Sequence, residues 1–86
     1  MENNEHFFYV LRCRDLTYYA GYTNNLEERI KKHNEGKGAK YTRGRVPVEL
    51  VFFQTFDNKR DALQAEYRFK QLTRRQKEEW MRKAVL

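Results

Sequence analysis

Apolar and polar positions along the chain change period several times, and each change marks an element. His6-Phe7-Phe8-Tyr9-Val10-Leu11-Arg12-Cys13 is aromatic and β-branched with almost no polar alternation, the pattern of a central strand covered on both faces. Arg14-Asp15-Leu16 turns the chain, and Thr17 to Thr23 is again β-prone, so near its predecessor that only an antiparallel hairpin joins the two. Gly21 interrupts that second strand, as glycine does at a bulge, at a close approach of another group, or as a simple packing accommodation. After Pro47, Val48 to Phe56 reads as a third strand, which Asp57-Asn58 breaks.

Between and after these strands the period lengthens to that of a helix. Asn24 followed by Glu27 predicts an N-cap with its capping-box partner, and Leu26 and Ile30 carry the helix to a stop at Gly36. Residues 36–45 hold three glycines and predict an exposed loop with one helical turn at most. Lys59 to Leu72 predicts a further helix, and Thr73 with Gln76 starts the last one, which places Trp80, Met81 and Ala84 on one side. The order β-β-α-β-α-α predicts an α+β fold, a three-stranded antiparallel sheet flanked by helices, with residues 1–86 as a single domain.

Two charged intrusions break the apolar faces. Leu26, Arg29, Ile30 and His33 stand at i, i+3, i+4 and i+7, and Ala62, Ala65, Glu66 and Phe69 repeat the relation on a later helix. A charge withdrawn from water costs several kcal/mol, on the order of 3–5 when a buried partner is missing, unless it is paired, metal-bound or beside a wet cleft. One reading is an ion pair between Arg29 and Glu66 that pins the two helices, with His33 at the edge. The other is a shallow cleft in which Arg29 holds a phosphate and Glu66 gives oxygen to a divalent cation. Spacing alone leaves both open.

Composition narrows the class of partner. Eighteen Lys and Arg against twelve Asp and Glu give a net charge of +6, which favours polyanions. The single Cys13, with His6 and His33, shows no zinc-site spacing and no intrachain disulfide, as expected of a reducing compartment. The polar, acidic start and the short apolar runs lack the pattern of a signal peptide or a membrane span, so a cytoplasmic protein with no membrane partner is expected. The sequence is silent on oligomeric state.

Phe7-Phe8-Tyr9 and Tyr19-Ala20-Gly21 resemble the paired signature of the GIY-YIG nuclease superfamily, standing in place of Gly-Ile-Tyr and Tyr-Ile-Gly. The resemblance continues through Arg29 on the first helix, His33 one turn on, and Glu66 on a later helix, and so spans nearly the whole chain. In character it is nearest the small stand-alone bacterial members, which resemble the N-terminal nuclease domain of the excision-repair incision subunit. Two positions depart from the pattern. Tyr22 stands where several active nucleases carry lysine, and no residue is assigned to the family's late asparagine.

The resemblance implies an endonuclease that hydrolyses nucleic-acid phosphodiesters with magnesium or manganese, in DNA repair or processing, with DNA ahead of RNA as substrate. It implies that Glu66 holds the metal, that Arg29 stabilises charge on the phosphorus, and that Tyr19 takes a proton from the attacking water. His33, with an intrinsic pKa of about 6.5, is the alternative base or the acceptor of the tyrosine's proton. Tyr9 orients Tyr19 or the water, or is a core aromatic. Lys37, Lys40, Arg43 and Arg45 are candidate phosphate contacts, and Tyr41 a surface for base stacking; a solvated basic loop is the plain alternative. Arg74, Arg75, Lys77, Arg82 and Lys83 read as a solvated helix face. A non-catalytic nucleic-acid-binding module and a small protein-interaction domain remain as other uses of the same scaffold.

Overall fold

The computed structural model describes residues 5–84. Three strands, β1 (His6–Arg12), β2 (Tyr18–Thr23) and β3 (Glu49–Phe56), form one antiparallel sheet in the order β2-β1-β3. Four helices complete the chain: α1 (Leu26–Asn34), the single turn α2 (Lys40–Arg43), α3 (Lys59–Lys70) and α4 (Arg74–Ala84). The β-β-α-β-α-α order expected from the sequence is therefore present, with α2 as the one turn inside the long loop.

As its unbroken apolar run requires, β1 is the central strand, and its side chains alternate between two cores. Phe8 and Val10 join Ala20 and Phe52 beneath Ala65 and Phe69 of α3, with Trp80 and Met81 of α4 packed at the edge. On the opposite face Tyr9 and Leu11 join Cys13 and Val48, covered by Leu26 and Ile30 of α1. The β1–β3 pairing shifts register between Val10 and Leu11: Val10 faces Phe52 but Leu11 faces Leu50. The skipped residue, Val51, is exposed, and the bulge keeps Leu50 on the same face as Leu11.

Helix ends follow the expected chemistry with one shift. The α1 cap is Asn25, not Asn24: its side chain accepts from the Glu28 amide at 3.2 Å. The doubled Asn24-Asn25 and Glu27-Glu28 make both registers chemically equivalent. Thr23 decides between them, because its hydroxyl accepts from the Asn25 amide at 3.0 Å and ties that residue in the cap position. At α4, Thr73 and Gln76 form the reciprocal capping box, at 3.2 and 3.0 Å.

The last helix departs from its sequence reading in two ways. Ala84 is exposed while Trp80 and Met81 are half-buried against the aromatic core. Arg74 is not merely solvated: its guanidinium donates to the Leu16 carbonyl at 2.8 Å and lies 4.5 Å over the Tyr18 ring, tying α4 to the β1–β2 turn. No helix among the described residues is long and apolar enough to cross a membrane.

Candidate active site

The face of the sheet under α1 carries a buried chain of polar groups. The Tyr9 hydroxyl lies 2.9 Å from His33 Nε2, His33 Nδ1 lies 2.8 Å from Thr42 Oγ1, and Thr42 donates to the Ala39 carbonyl at 2.9 Å. The Thr42 proton is thus committed to Ala39, so Thr42 accepts from Nδ1–H. Nε2 is then left without a proton, and Tyr9 donates to it. The network is closed: no buried side-chain nitrogen or oxygen among the described residues lacks a partner.

Burial sets the protonation of both rings. His33 is fully buried, and desolvation, aided by the positive charge of Arg29, pushes its pKa down from 6.5 to about 4. Tyr9 is held up at about 12, chiefly by burial and further by Tyr19 and Glu66, with Arg29 opposing. Tyr9 therefore keeps its proton, and His33 is neutral. His33 stands behind Tyr9, out of solvent, and does not snorkel at an edge.

Two glycines make room for this chain. A Cβ on Gly21 would come within 2.5 Å of the Tyr9 hydroxyl, and the break in the second strand is thereby explained as a close approach. A Cβ on Gly38 would fall 2.9 Å from the His33 Cα and closer still to its ring, so the loop packs its bare backbone against the imidazole. Asn34 fixes the loop's far end, accepting from the Val48 amide at 2.7 Å and donating to its carbonyl at 3.2 Å.

In front of Tyr9, toward the β2 edge, the remaining candidates gather. The Tyr19 ring lies 6.5 Å from Tyr9 and 5.4 Å from His33. Arg29 and Glu66 are both near enough for their charges to act on the Tyr9 hydroxyl. Lys70 closes the group, with Nζ 2.7 Å from Glu66 Oε2 and 6.0 Å from the centre of the Tyr19 ring. Side chains from a hairpin and two separate helices thus meet around a common place. Glu66, whose side chain is 16% exposed, pairs with Lys70; the direct Arg29–Glu66 ion pair does not form.

Residues 5–79 match the GIY-YIG catalytic domain. The chain belongs to the GIY-YIG family. It is 64% identical over 81 residues to a UPF0213 protein of Bacillus velezensis, covering 94% of this chain and 82% of that one. It is 63% identical over 78 residues to the UPF0213 protein YazA of Bacillus subtilis, covering 91% of this chain and 79% of the relative. Among solved structures, an E. faecalis protein studied by solution NMR superposes with a TM-score of 0.68 at 44% identity, covering 99% of this chain and 92% of that one. A UPF0213 protein of Bacillus halodurans superposes with a TM-score of 0.58 at 50% identity, covering 88% and 81%.

Within this GIY-YIG frame the loop candidates divide. Tyr41 stacks on Tyr19 at 6.0 Å with the planes 24° apart, and Arg45 lies 4.1 Å over the Tyr41 ring. Arg45 is also bonded to Asp15 at 3.0 Å and to the Tyr41 carbonyl at 2.6 Å, while Arg43 donates to the Gly38 carbonyl at 3.4 Å. These two cations hold the loop together. Lys40 and Lys37 are exposed. Tyr22 is turned to the other face of the sheet, where its hydroxyl meets His6 Nδ1 at 2.7 Å, so it is a packing residue beside α3.

Sequence reasoning missed Thr42, Gly38 and Lys70. Lys70 was visible as the i+4 partner of Glu66. Nothing in spacing alone marks Thr42 or Gly38, whose importance arises only where the loop crosses α1. The metal question turns on the donor set. Glu66 offers one carboxylate with one oxygen engaged by Lys70, and no group of three His, Cys, Asp or Glu gathers among the described residues. Such a set suits a hard divalent ion that keeps most of its waters, bound weakly by one carboxylate, and does not suit zinc.

Proposed function

We propose that this GIY-YIG protein is a divalent-metal-dependent endonuclease that hydrolyses phosphodiester bonds, acting on DNA in preference to RNA. The observation that carries the reading is the convergence of Tyr19, Arg29 and Glu66 in front of a Tyr9 whose hydroxyl is fixed from behind by His33. Magnesium or manganese at Glu66 would supply Lewis acidity toward a phosphoryl oxygen. Arg29 binds the scissile phosphate and stabilises the charge that grows on it in the transition state. Tyr19, at the open side of the pair, takes the proton of the attacking water. Tyr9 retains its own proton and acts through position, and His33, both of whose nitrogens are engaged, is a positioning residue for Tyr9.

Lys70 engages Glu66 Oε2 from within the protein, so Oε1 is the oxygen that would be offered to a metal. Cutting of labelled DNA and RNA is measured with magnesium, with manganese and with chelator. Metal-dependent cutting that is lost in both Glu66→Gln and Arg29→Ala, each still folded, is expected. Binding with a steep salt dependence and no cutting in any metal would replace the enzyme with a nucleic-acid-binding module.

A further inference from the structure

The outward face of α3 holds an aromatic side chain in a frame of cations, of which Lys59 lies 5.5 Å over the Tyr22 ring. Ala62, Ala65 and Phe69 turn toward the sheet, so Lys59, Arg60, Leu63, Gln64, Tyr67 and Arg68 line a surface cleft on the solvent side. Tyr67 is 67% exposed and Leu63 41%, although both are large and apolar enough to be buried elsewhere. None of the six is acidic, and none of the three cations makes an ion pair among the described residues. The contrast is with the loop, where Arg43 and Arg45 are tied to carbonyls and to Asp15.

Glu66 sits on the flank of the same helix, next to Tyr67 and one turn from Leu63, so the cleft adjoins the catalytic group. We propose that this face of α3 is a nucleic-acid contact: the strand whose phosphate sits at Arg29 continues across α3, its backbone held by Arg60 and Arg68 and a base stacked on Tyr67. The inference rests on the phosphodiester reading of the neighbouring site. From residue 59 to residue 68 the helix rises about 14 Å, long enough to follow more than one nucleotide. Phosphates match the free guanidinium groups, and a base matches an exposed phenol ring framed by positive charge. An acidic protein would satisfy the cations but leave Tyr67 without a stacking partner.

The test uses the full chain carrying Glu66→Gln, so that binding is read without cutting, and a fluorescein-labelled single-stranded oligonucleotide followed by anisotropy across a salt series. Adding Arg60→Ala and Arg68→Ala is expected to weaken binding and to flatten the salt dependence by roughly 0.7 per lost phosphate contact. Adding Tyr67→Ala is expected to weaken binding roughly ten-fold while leaving the salt slope unchanged. These side chains face solvent, and thermal melts by circular dichroism verify that each variant is folded.

Unchanged binding in both sets of variants overturns the proposal, even if the wild type cuts with metal. Loss of affinity with the arginines but none with Tyr67→Ala, together with equal competition by poly-glutamate, also overturns it. If the wild type never cuts yet all three substitutions weaken the oligonucleotide, the α3 contact stands and only the enzymatic reading falls.

Discussion

The two faces of one sheet solve different problems with neighbouring residues of the same strand. Phe8 and Val10 point into a core of aromatic and aliphatic groups, where Phe8 packs at 5.2 Å on Phe69 and at 5.9 Å on Trp80. Tyr9, between them, points the other way, into the chain that runs through His33 and Thr42 to the backbone of the loop. The first face gains from burial and from edge-to-face packing, which tolerates any filling of suitable shape. The second has an apolar core of its own around Leu11, Cys13 and Val48, but along the Tyr9–His33–Thr42 chain each polar group must find its partner or cost free energy. A wholly apolar face thus backs one in which a buried polar chain, set into a smaller apolar core, holds a site in register.

The difference should be large and asymmetric under mutation. Phe69→Ala is expected to cost about 3–5 kcal/mol in urea unfolding, by cavity formation under α3. A cost under about 1.5 kcal/mol would mean that the aromatic face is not the main support. Arg29→Ala, on the other side, should lower the rate of cutting on the order of a hundred- to a thousand-fold, equivalent to about 3–4 kcal/mol of barrier. Its unfolding free energy should stay within about 1 kcal/mol of the wild type; a loss like that of Phe69→Ala would make Arg29 a structural residue.

Acidity separates the faces next. In the unfolded chain His33 titrates near 6.5, and in the folded protein its pKa is about 4. Between those values the unfolded chain binds more protons, so His33 destabilises the fold as pH falls from 6.5 to 4. Urea unfolding across that window should show a loss of about 2–3 kcal/mol that His33→Gln removes. An identical slope in that variant would place the acid sensitivity elsewhere.

Smaller changes sharpen the contrast. Gly21→Ala places a methyl group against the Tyr9 hydroxyl, and is expected to cost about 1–3 kcal/mol and to disturb the Tyr9–His33 bond, visible as a change in the His33 imidazole NMR resonances. A silent substitution there would show that the phenol moves freely. At the rim, Glu49→Gln removes an exposed pair with Arg12 and should change stability by less than about 1 kcal/mol. A larger loss would assign the sheet edge more weight than the geometry does.

Much of this was legible from spacing. The near-continuous apolar run of β1 required cover on both sides, and both cores exist. The i, i+3, i+4, i+7 stripes placed Arg29, His33 and Glu66 on inward-facing sides, and His33 is indeed fully buried. The α1 cap was misplaced by one residue because repeated Asn and Glu made the two registers equivalent until Thr23 broke the tie. The bulge at Val51 had no signal, since it depends on how β3 meets β1.

The amino-acid order by itself determined the elements, their order and the side of each helix on which a charge would stand. Those follow from local backbone periodicity and capping, which act over a few residues. Only the tertiary structure decided partners: Lys70 and not Arg29 for Glu66, Thr42 and Tyr9 for His33, Asp15 for Arg45, and packing beside His6 for Tyr22. The reason is geometric. A period states which way a side chain points, but the distance between two side chains on separate elements depends on how the sheet, the helices and the crossing loop pack together.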